Sequence, residues 1–114
     1  MEDQKKQVLE VIDKMLNAVF AKQWPAYEEC CSADMTSFEP EGRGAFIEGL
    51  GFHKYYFTIP AEAADFINHT RSSTNVRFTG NGSVAIVTYV LLYQKLDSTA
   101  VPITIKTEET RILE

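Results

Sequence analysis

Gly80-Asn81-Gly82-Ser83-Val84-Ala85-Ile86-Val87-Thr88-Tyr89-Val90-Leu91-Leu92-Tyr93-Gln94-Lys95 decides the fold class of this chain. Asn-Gly supplies the positive φ that a tight hairpin turn needs, so Gly80-Asn81-Gly82 marks a chain reversal. Ser83 to Lys95 then reads as one long strand. Working outward, Asp65 to Thr79 alternates weakly and enters the reversal as a strand, with Ser72-Ser73 suggesting a bulge. Asp97-Ser98-Thr99-Ala100 turns the chain again, and Val101 to Glu114 is the last strand. The C-terminal half is therefore an antiparallel meander.

The N-terminal half has a different period. Between Asp3 and Lys22 the apolar residues Val8, Leu9, Val11, Ile12, Met15, Leu16, Val19 and Phe20 recur with the spacing of a long amphipathic helix. Trp24-Pro25 restarts the chain, and Pro25 to Cys31 reads as a short helix with Tyr27 and Cys30 on one face. A strand at Met35 to Phe38 ends at Glu39-Pro40, and a turn follows at Gly42 and Gly44. Gly44 to Phe57 is expected to be an aromatic helix, irregular at Gly49 and Gly51. Pro60 stops it, because the residue before a proline is pushed out of the helical region. Ala61 to Ala64 is a linker. Helices followed by a meander make the class α+β, with the long helix expected to pack across the concave face of a curved antiparallel sheet.

The chain has 114 residues and is expected to form a single domain, residues 1–114. Apolar residues make up 45%, which fits a folded globular protein. The net charge of −5 and the scattered Lys and Arg argue against nucleic acid as a partner. No apolar signal core and no run long enough to span a membrane is found, so a cytoplasmic location is expected. Cys30 and Cys31 are then expected to be reduced. Asn68-His69-Thr70 and Asn81-Gly82-Ser83 fit the glycosylation pattern but carry no weight without secretion.

The strand Ser83 to Lys95 is apolar on both faces. One face carries Ala85, Val87, Tyr89, Leu91 and Tyr93; the other carries Val84, Ile86, Val90 and Leu92, interrupted by Thr88. A sheet with one solvated face should alternate apolar and polar residues. Helices can cover one face, so the other calls for its own loop or for another subunit, and the subunit is the favoured cover.

The last strand places Val101, Ile103, Ile105, Thr107, Glu109, Arg111 and Leu113 on one face. With the turn centred near Ser98, Glu109 lies opposite Val87 and Arg111 opposite Ala85. Both charges would then sit on the interior face, where they need partners. They can pair with each other, and His53 from the aromatic helix can approach them. One reading of His53, Glu109 and Arg111 is a polar pocket for an anion or peptide carboxylate, with Arg111 as a forked donor. The other is a structural group that fixes register or a subunit contact. Catalysis would need an acid and a base converging from His53, Glu109, Asp65 and the tyrosines. No Ser-His-Asp order, Gly-rich phosphate loop or His-x-x-x-His spacing is present, so the chain reads as a non-enzyme with no metal and no cofactor.

One segment carries a family resemblance. Met35-Thr36-Ser37-Phe38-Glu39-Pro40-Glu41, then Glu48-Gly49-Leu50-Gly51-Phe52-His53-Lys54-Tyr55-Tyr56-Phe57, and later Glu108-Glu109-Thr110-Arg111, stand in this order and spacing. They resemble the association (hub) domain of calcium/calmodulin-dependent protein kinase II. The resemblance implies a nuclear transport factor 2-like (cystatin-like) cone. It implies an oligomerisation hub that assembles with itself into a stacked double ring, a dodecamer or larger, and holds kinase domains in cis. Phe46, Phe52, Tyr55, Tyr56 and Phe57 on the aromatic segment, and Ile86, Val90 and Leu92 on the outer strand face, are the interface candidates. The alternatives are a small-molecule or peptide-binding module, or a cone-type isomerase or dehydratase. Two departures from the family pattern stand out. The family's cavity arginine on the penultimate strand aligns with Leu91. The family also continues past Glu-Glu-Thr-Arg into a further strand, where this sequence ends at Ile112-Leu113-Glu114; the last strand is expected to leave an unpaired edge.

Overall fold

The structure, a computed structural model, describes residues 2–59 and 67–114. Among the described residues, three α-helices, α1 (Glu2–Phe20), α2 (Trp24–Glu29) and α3 (Gly51–Thr58), accompany five strands, β1 (Thr36–Ser37), β2 (Ile47–Glu48), β3 (Asn68–Thr79), β4 (Val84–Leu96) and β5 (Pro102–Leu113). The expected helix stop at Pro60, the linker Ala61 to Ala64 and the candidate acid Asp65 lie outside the described residues. The chain forms two compact units, Met1–Leu9 with Glu62–Glu114, and Glu10–Ala61.

The first unit holds the sheet β3-β4-β5, antiparallel throughout. The Gly80–Gly82 turn forms as the sequence predicts, with Asn81 in the left-handed region at φ 59°. Thr79 pairs with Val84, so the loop is four residues long and not a two-residue hairpin. The predicted bulge is also present. Ser72 faces Val90 and Asn75 faces Thr88, which leaves Ser73 and Thr74 opposite the single residue Tyr89. Ser73 takes φ 52°, and Arg71 Nη1 bonds Thr74 Oγ1 at 2.7 Å across the irregularity. Ala85, Val87, Tyr89 and Leu91 are buried, and Val87 is fully so.

The β4–β5 register corrects the sequence expectation. Glu109 faces Tyr89 and Arg111 faces Val87, a slip of two residues from the expected partners Val87 and Ala85. The turn is the cause. The Asp97 carboxylate accepts from the Thr99 and Val101 backbone N–H groups and from Thr99 Oγ1, and Asp97 N–H donates to Val101 O. These bonds centre the turn on Thr99 with Ala100 left-handed at φ 63°. A slip of two keeps every side chain on its own face, so the face assignment of β5 is unchanged.

The second unit is helical with a short β-ladder. Ile12, Met15, Leu16 and Ala18 of α1 are buried at helical spacing. α1 ends in a Schellman motif, with Gln23 N–H on Ala18 O and Lys22 N–H on Val19 O. Lys22, at φ 53°, takes the left-handed place that glycine usually fills, and its Nζ donates to Ile59 O at 2.7 Å. Trp24, Tyr27 and Phe57 form an aromatic cluster, with Phe57 at 5.2 Å from Trp24 and 4.9 Å from Tyr27.

The aromatic helix is shorter than Gly44 to Phe57. Gly44 at φ 88° and Gly49 at φ 75° are left-handed, which a continuing right-handed helix cannot accommodate. The intervening residues return as β2, paired with β1, and Gly49 N–H extends that ladder to Met35 O at 2.7 Å. The helix proper begins at Gly51.

Candidate functional site

The polar groups of the sheet unit converge on Tyr89. Its hydroxyl donates to Glu109 Oε1 at 2.7 Å and accepts from Arg111 Nε at 3.2 Å. Arg111 Nη2 donates to Glu109 Oε1 at 2.8 Å, closing a three-membered ring of contacts. Thr107 Oγ1 bonds the other carboxylate oxygen at 2.9 Å. Thr107, Glu109 and Arg111 lie at alternate positions of β5, so the strand itself aims all three at one face.

Burial is the largest single influence on each of the three groups, but it decides the direction for Tyr89 alone. It pushes the Tyr89 phenol up to about 12, against the opposing pull of Arg111. Burial alone would also raise Glu109. The Arg111 charge, with hydrogen bonds from Tyr89, Arg111 and Thr107, outweighs it and holds the carboxyl below its ordinary value. Burial opposes the Arg111 charge, but contact with Tyr89 and Glu109 leaves it held above its ordinary value. The cluster is a carboxylate and a guanidinium that satisfy each other through a neutral phenol.

His53 sits in the helical unit and is buried at 7% exposure. Its Nε2 meets Glu39 Oε1 at 2.5 Å, and Tyr27 stacks on the ring at 6.2 Å. His53 Nδ1 and Ser37 Oγ are buried with no hydrogen-bond partner among the described residues. Glu39 is the residue that sequence reasoning missed. By sequence it is a strand terminator, but its backbone stays extended, at φ −138° and ψ 153°. Ser37 and Glu39, two apart on an extended chain, share a face; that spacing was the available signal.

The interface candidates have the following exposures. Phe46 (54%), Tyr55 (63%) and Tyr56 (39%) are exposed, while Phe52 and Phe57 are half-buried. Phe38, 72% exposed, packs tilted against Phe46 with ring centroids 5.4 Å apart. On the outer face of β4, Ile86, Val90 and Leu92 are half-buried, and Ile112, which faces Ile86 from β5, is exposed. Among the described residues, no group of three or more His, Cys, Asp or Glu could hold a metal ion. No described helix is long and apolar enough to cross a membrane. Cys30 and Cys31 are both half-buried; burial pushes the Cys30 thiol up, and it donates to Ala26 O at 3.4 Å.

Comparison with known proteins agrees with this architecture. The association domain of C. elegans CaMKII superposes with a TM-score of 0.89 at 33% identity, covering 97% of this chain and 84% of that one. The S. rosetta CaMKII hub gives 0.84 at 37% identity, covering 94% and 79%. A nuclear transport factor 2-like protein from Salmonella enterica shares the fold alone, with a TM-score of 0.73 at 13% identity over 97% of this chain and 79% of that one. The rabbit (Oryctolagus cuniculus) calcium/calmodulin-dependent protein kinase type II subunit delta is 30% identical over 109 residues. That match covers 95% of this chain and 20% of the relative, so the chain spans about a fifth of the kinase subunit. The fold is thus the α+β nuclear transport factor 2-like cone. The family model for the calcium/calmodulin dependent protein kinase II association domain matches residues 4–114, and the chain belongs to that family.

Proposed function

We propose that residues 1–114 act as one association domain whose copies close into a stacked double ring of a dozen or more protomers. The observation that carries this reading is the outer face of the sheet. Ile86, Val90 and Leu92 of β4 and Ile112 of β5 form an apolar stripe without full cover in the single chain. The exposed Phe38–Phe46 pair, with Tyr55 and Tyr56 on α3, offers a second surface in the other unit. A closed double ring needs two kinds of contact, one within a pair and one around the ring. Such a ring would concentrate kinase domains joined to it in cis, a benefit of effective concentration and not of chemistry. On this reading the domain is non-catalytic, needs no cofactor and works in the cytoplasm.

The competing reading, a carboxylate-binding module, is disfavoured by the state of Arg111. Its guanidinium is engaged by Glu109 and Tyr89, so an incoming anion would have to displace a bonded carboxylate. The native mass measured by multi-angle light scattering tests the proposal. A mass of a dozen or more copies of the 12.9 kDa chain is the expected result. Ile86→Asp with Val90→Asp is expected to lower that mass. A wild-type monomer or dimer would reject the ring.

A further inference from the structure

Asparagine occurs four times in the chain, at positions 17, 68, 75 and 81. Asn17 lies inside α1, and Asn68 and Asn75 are ladder residues of β3, opposite Gln94 and Thr88. The residues that follow them, Ala18, His69 and Val76, all carry side chains. Asn81 differs on both counts. It is exposed in the reversal between β3 and β4, at φ 59° and ψ 33°, and Gly82 follows it. Gly82 is itself exposed at φ 89°, and nothing lies within 4 Å of where a side chain on it would stand. Ser83 closes the reversal, with its N–H and its Oγ both donating to Gly80 O, at 3.2 and 2.6 Å. Glycines on either side of Asn81 give this backbone wide rotational freedom.

We propose that Asn81-Gly82 is a site of spontaneous covalent modification in the folded protein, where Asn81 converts through a five-membered cyclic imide to aspartate and isoaspartate. A neutral amide nitrogen is a weak nucleophile, so base first removes the proton of Gly82 N. The nitrogen attacks Asn81 Cγ and forms the N–Cγ bond. The Cγ–Nδ2 bond then breaks, and ammonia leaves. Water adds to the imide and opens it. Breaking the N–Cγ bond gives aspartate. Breaking the bond from the nitrogen to the main-chain carbonyl carbon gives isoaspartate, with the chain running through Cβ and Cγ. At ψ 33° the Asn81 Cβ points away from Gly82 N, so the turn must open before the ring can close. Opening a loop costs far less than opening a helix or a ladder, where the other three asparagines are held. Each conversion adds one negative charge, taking the chain from −5 to −6 (−5 − 1 = −6). Isoaspartate also lengthens the backbone of a reversal whose ends are fixed by the Thr79–Val84 pair.

The chemistry is local to one loop, so it stands or falls separately from the ring. Peptide mapping of the folded chain after incubation at neutral and at mildly alkaline pH tests it. Cleavage after Lys and Arg puts each asparagine on a peptide of its own, with Asn81 on residues 78–95. That peptide is expected to gain about 1 Da, and to gain it faster at the higher pH. It is expected to lead the peptides of Asn17, Asn68 and Asn75 by about tenfold or more in rate. A carboxyl methyltransferase directed at isoaspartate, used with a labelled methyl donor, is expected to label the same peptide. Asn81→Gly keeps a residue suited to the left-handed turn and removes the amide, so both signals are expected to vanish. Peptide 78–95 unchanged after incubation, or a gain that ignores pH, would overturn the proposal. Four peptides changing at one rate would also overturn it, by assigning the reaction to unfolded chains. A gain that persists in Asn81→Gly would move the chemistry to Gln94 on the same peptide and overturn it likewise.

Discussion

Tyr89 and Glu109 face each other across the β4–β5 ladder, and the phenol donates to the carboxylate at 2.7 Å while accepting from Arg111. Tyr89 also stands opposite the two-residue bulge of β3, so one side chain marks both the irregular and the charged part of the sheet. Removing its hydroxyl leaves two charged groups each short of a bond. Tyr89→Phe is therefore expected to cost about 1–3 kcal/mol, read from urea denaturation. The phenol gives an independent signal. Its folded value, about 12, lies above its ordinary value of 10.0. The associated stability is complete below pH 10 and lost as pH rises through about 12. An absorbance titration should show a late tyrosinate step near pH 12 that Tyr89→Phe abolishes.

Glu109 gives the opposite pH dependence. Its carboxyl is held below its ordinary value of 4.5, so the ionised form is favoured by folding. That contribution is complete above pH 4.5 and is lost as pH falls below it toward the folded value. Glu109→Gln is expected to flatten the acid limb of a stability–pH curve while lowering the plateau near pH 7. An acid limb identical in wild type and variant would show that Glu109 carries no such linkage.

The Glu109–Arg111 pair should be strongly non-additive. Either single replacement strands a mostly buried charge and is expected to cost about 2–4 kcal/mol. The double replacement Glu109→Leu/Arg111→Met strands neither and should cost clearly less than the sum. A double-mutant cycle is expected to return a coupling of about 1–3 kcal/mol. Additive losses would mean that the two groups are stabilised separately by Tyr89 and Thr107.

Sequence reasoning reached the class and the order of elements because the signals were local. Asn81-Gly82, the α1 periodicity and Ser72-Ser73 each act over a few residues, and each appears in the structure where the sequence placed it. The β4–β5 register depended on where Asp97 directs its carboxylate, and an Asx-type turn centres on the residue its bonds select. A centre at Ser98 is one residue early, and that moves every cross-strand partner by two. The helix start failed for a related reason. The aromatic run suggested continuity, but Gly44 and Gly49 take left-handed conformations that helical spacing cannot reveal. Glu39 was obscured by Pro40 behind it, and its partner His53 is fourteen residues away, beyond the reach of local patterns.

The His53–Glu39 contact supports the packing of the aromatic cluster. Glu39→Ala removes the Nε2 contact from a buried ring whose Nδ1 already has no partner among the described residues. A loss of about 1–3 kcal/mol is expected. Glu41→Ala, two residues on at an exposed position, serves as the control and should stay within about 0.5 kcal/mol. Equal losses in the two variants would assign the effect to the loop and not to the histidine contact.

Of the non-glycine residues that hold left-handed positions, Ala100 and Lys22 should respond differently to glycine. Ala100 has φ 63° and contributes no side-chain bond to the turn that Asp97 organises. Ala100→Gly relieves the steric cost, of which the added freedom of the unfolded chain takes back part, leaving a gain of about 0.5–1 kcal/mol. Lys22 has φ 53° in the Schellman motif, but its Nζ also bonds Ile59 O and ties the end of α1 to the end of α3. Lys22→Gly relieves the same strain and removes that tie, so its gain should be smaller or absent. Thermal unfolding of the two variants side by side is the measurement. A larger upward shift for Lys22→Gly than for Ala100→Gly would show that the lysine bond adds nothing to the helical unit.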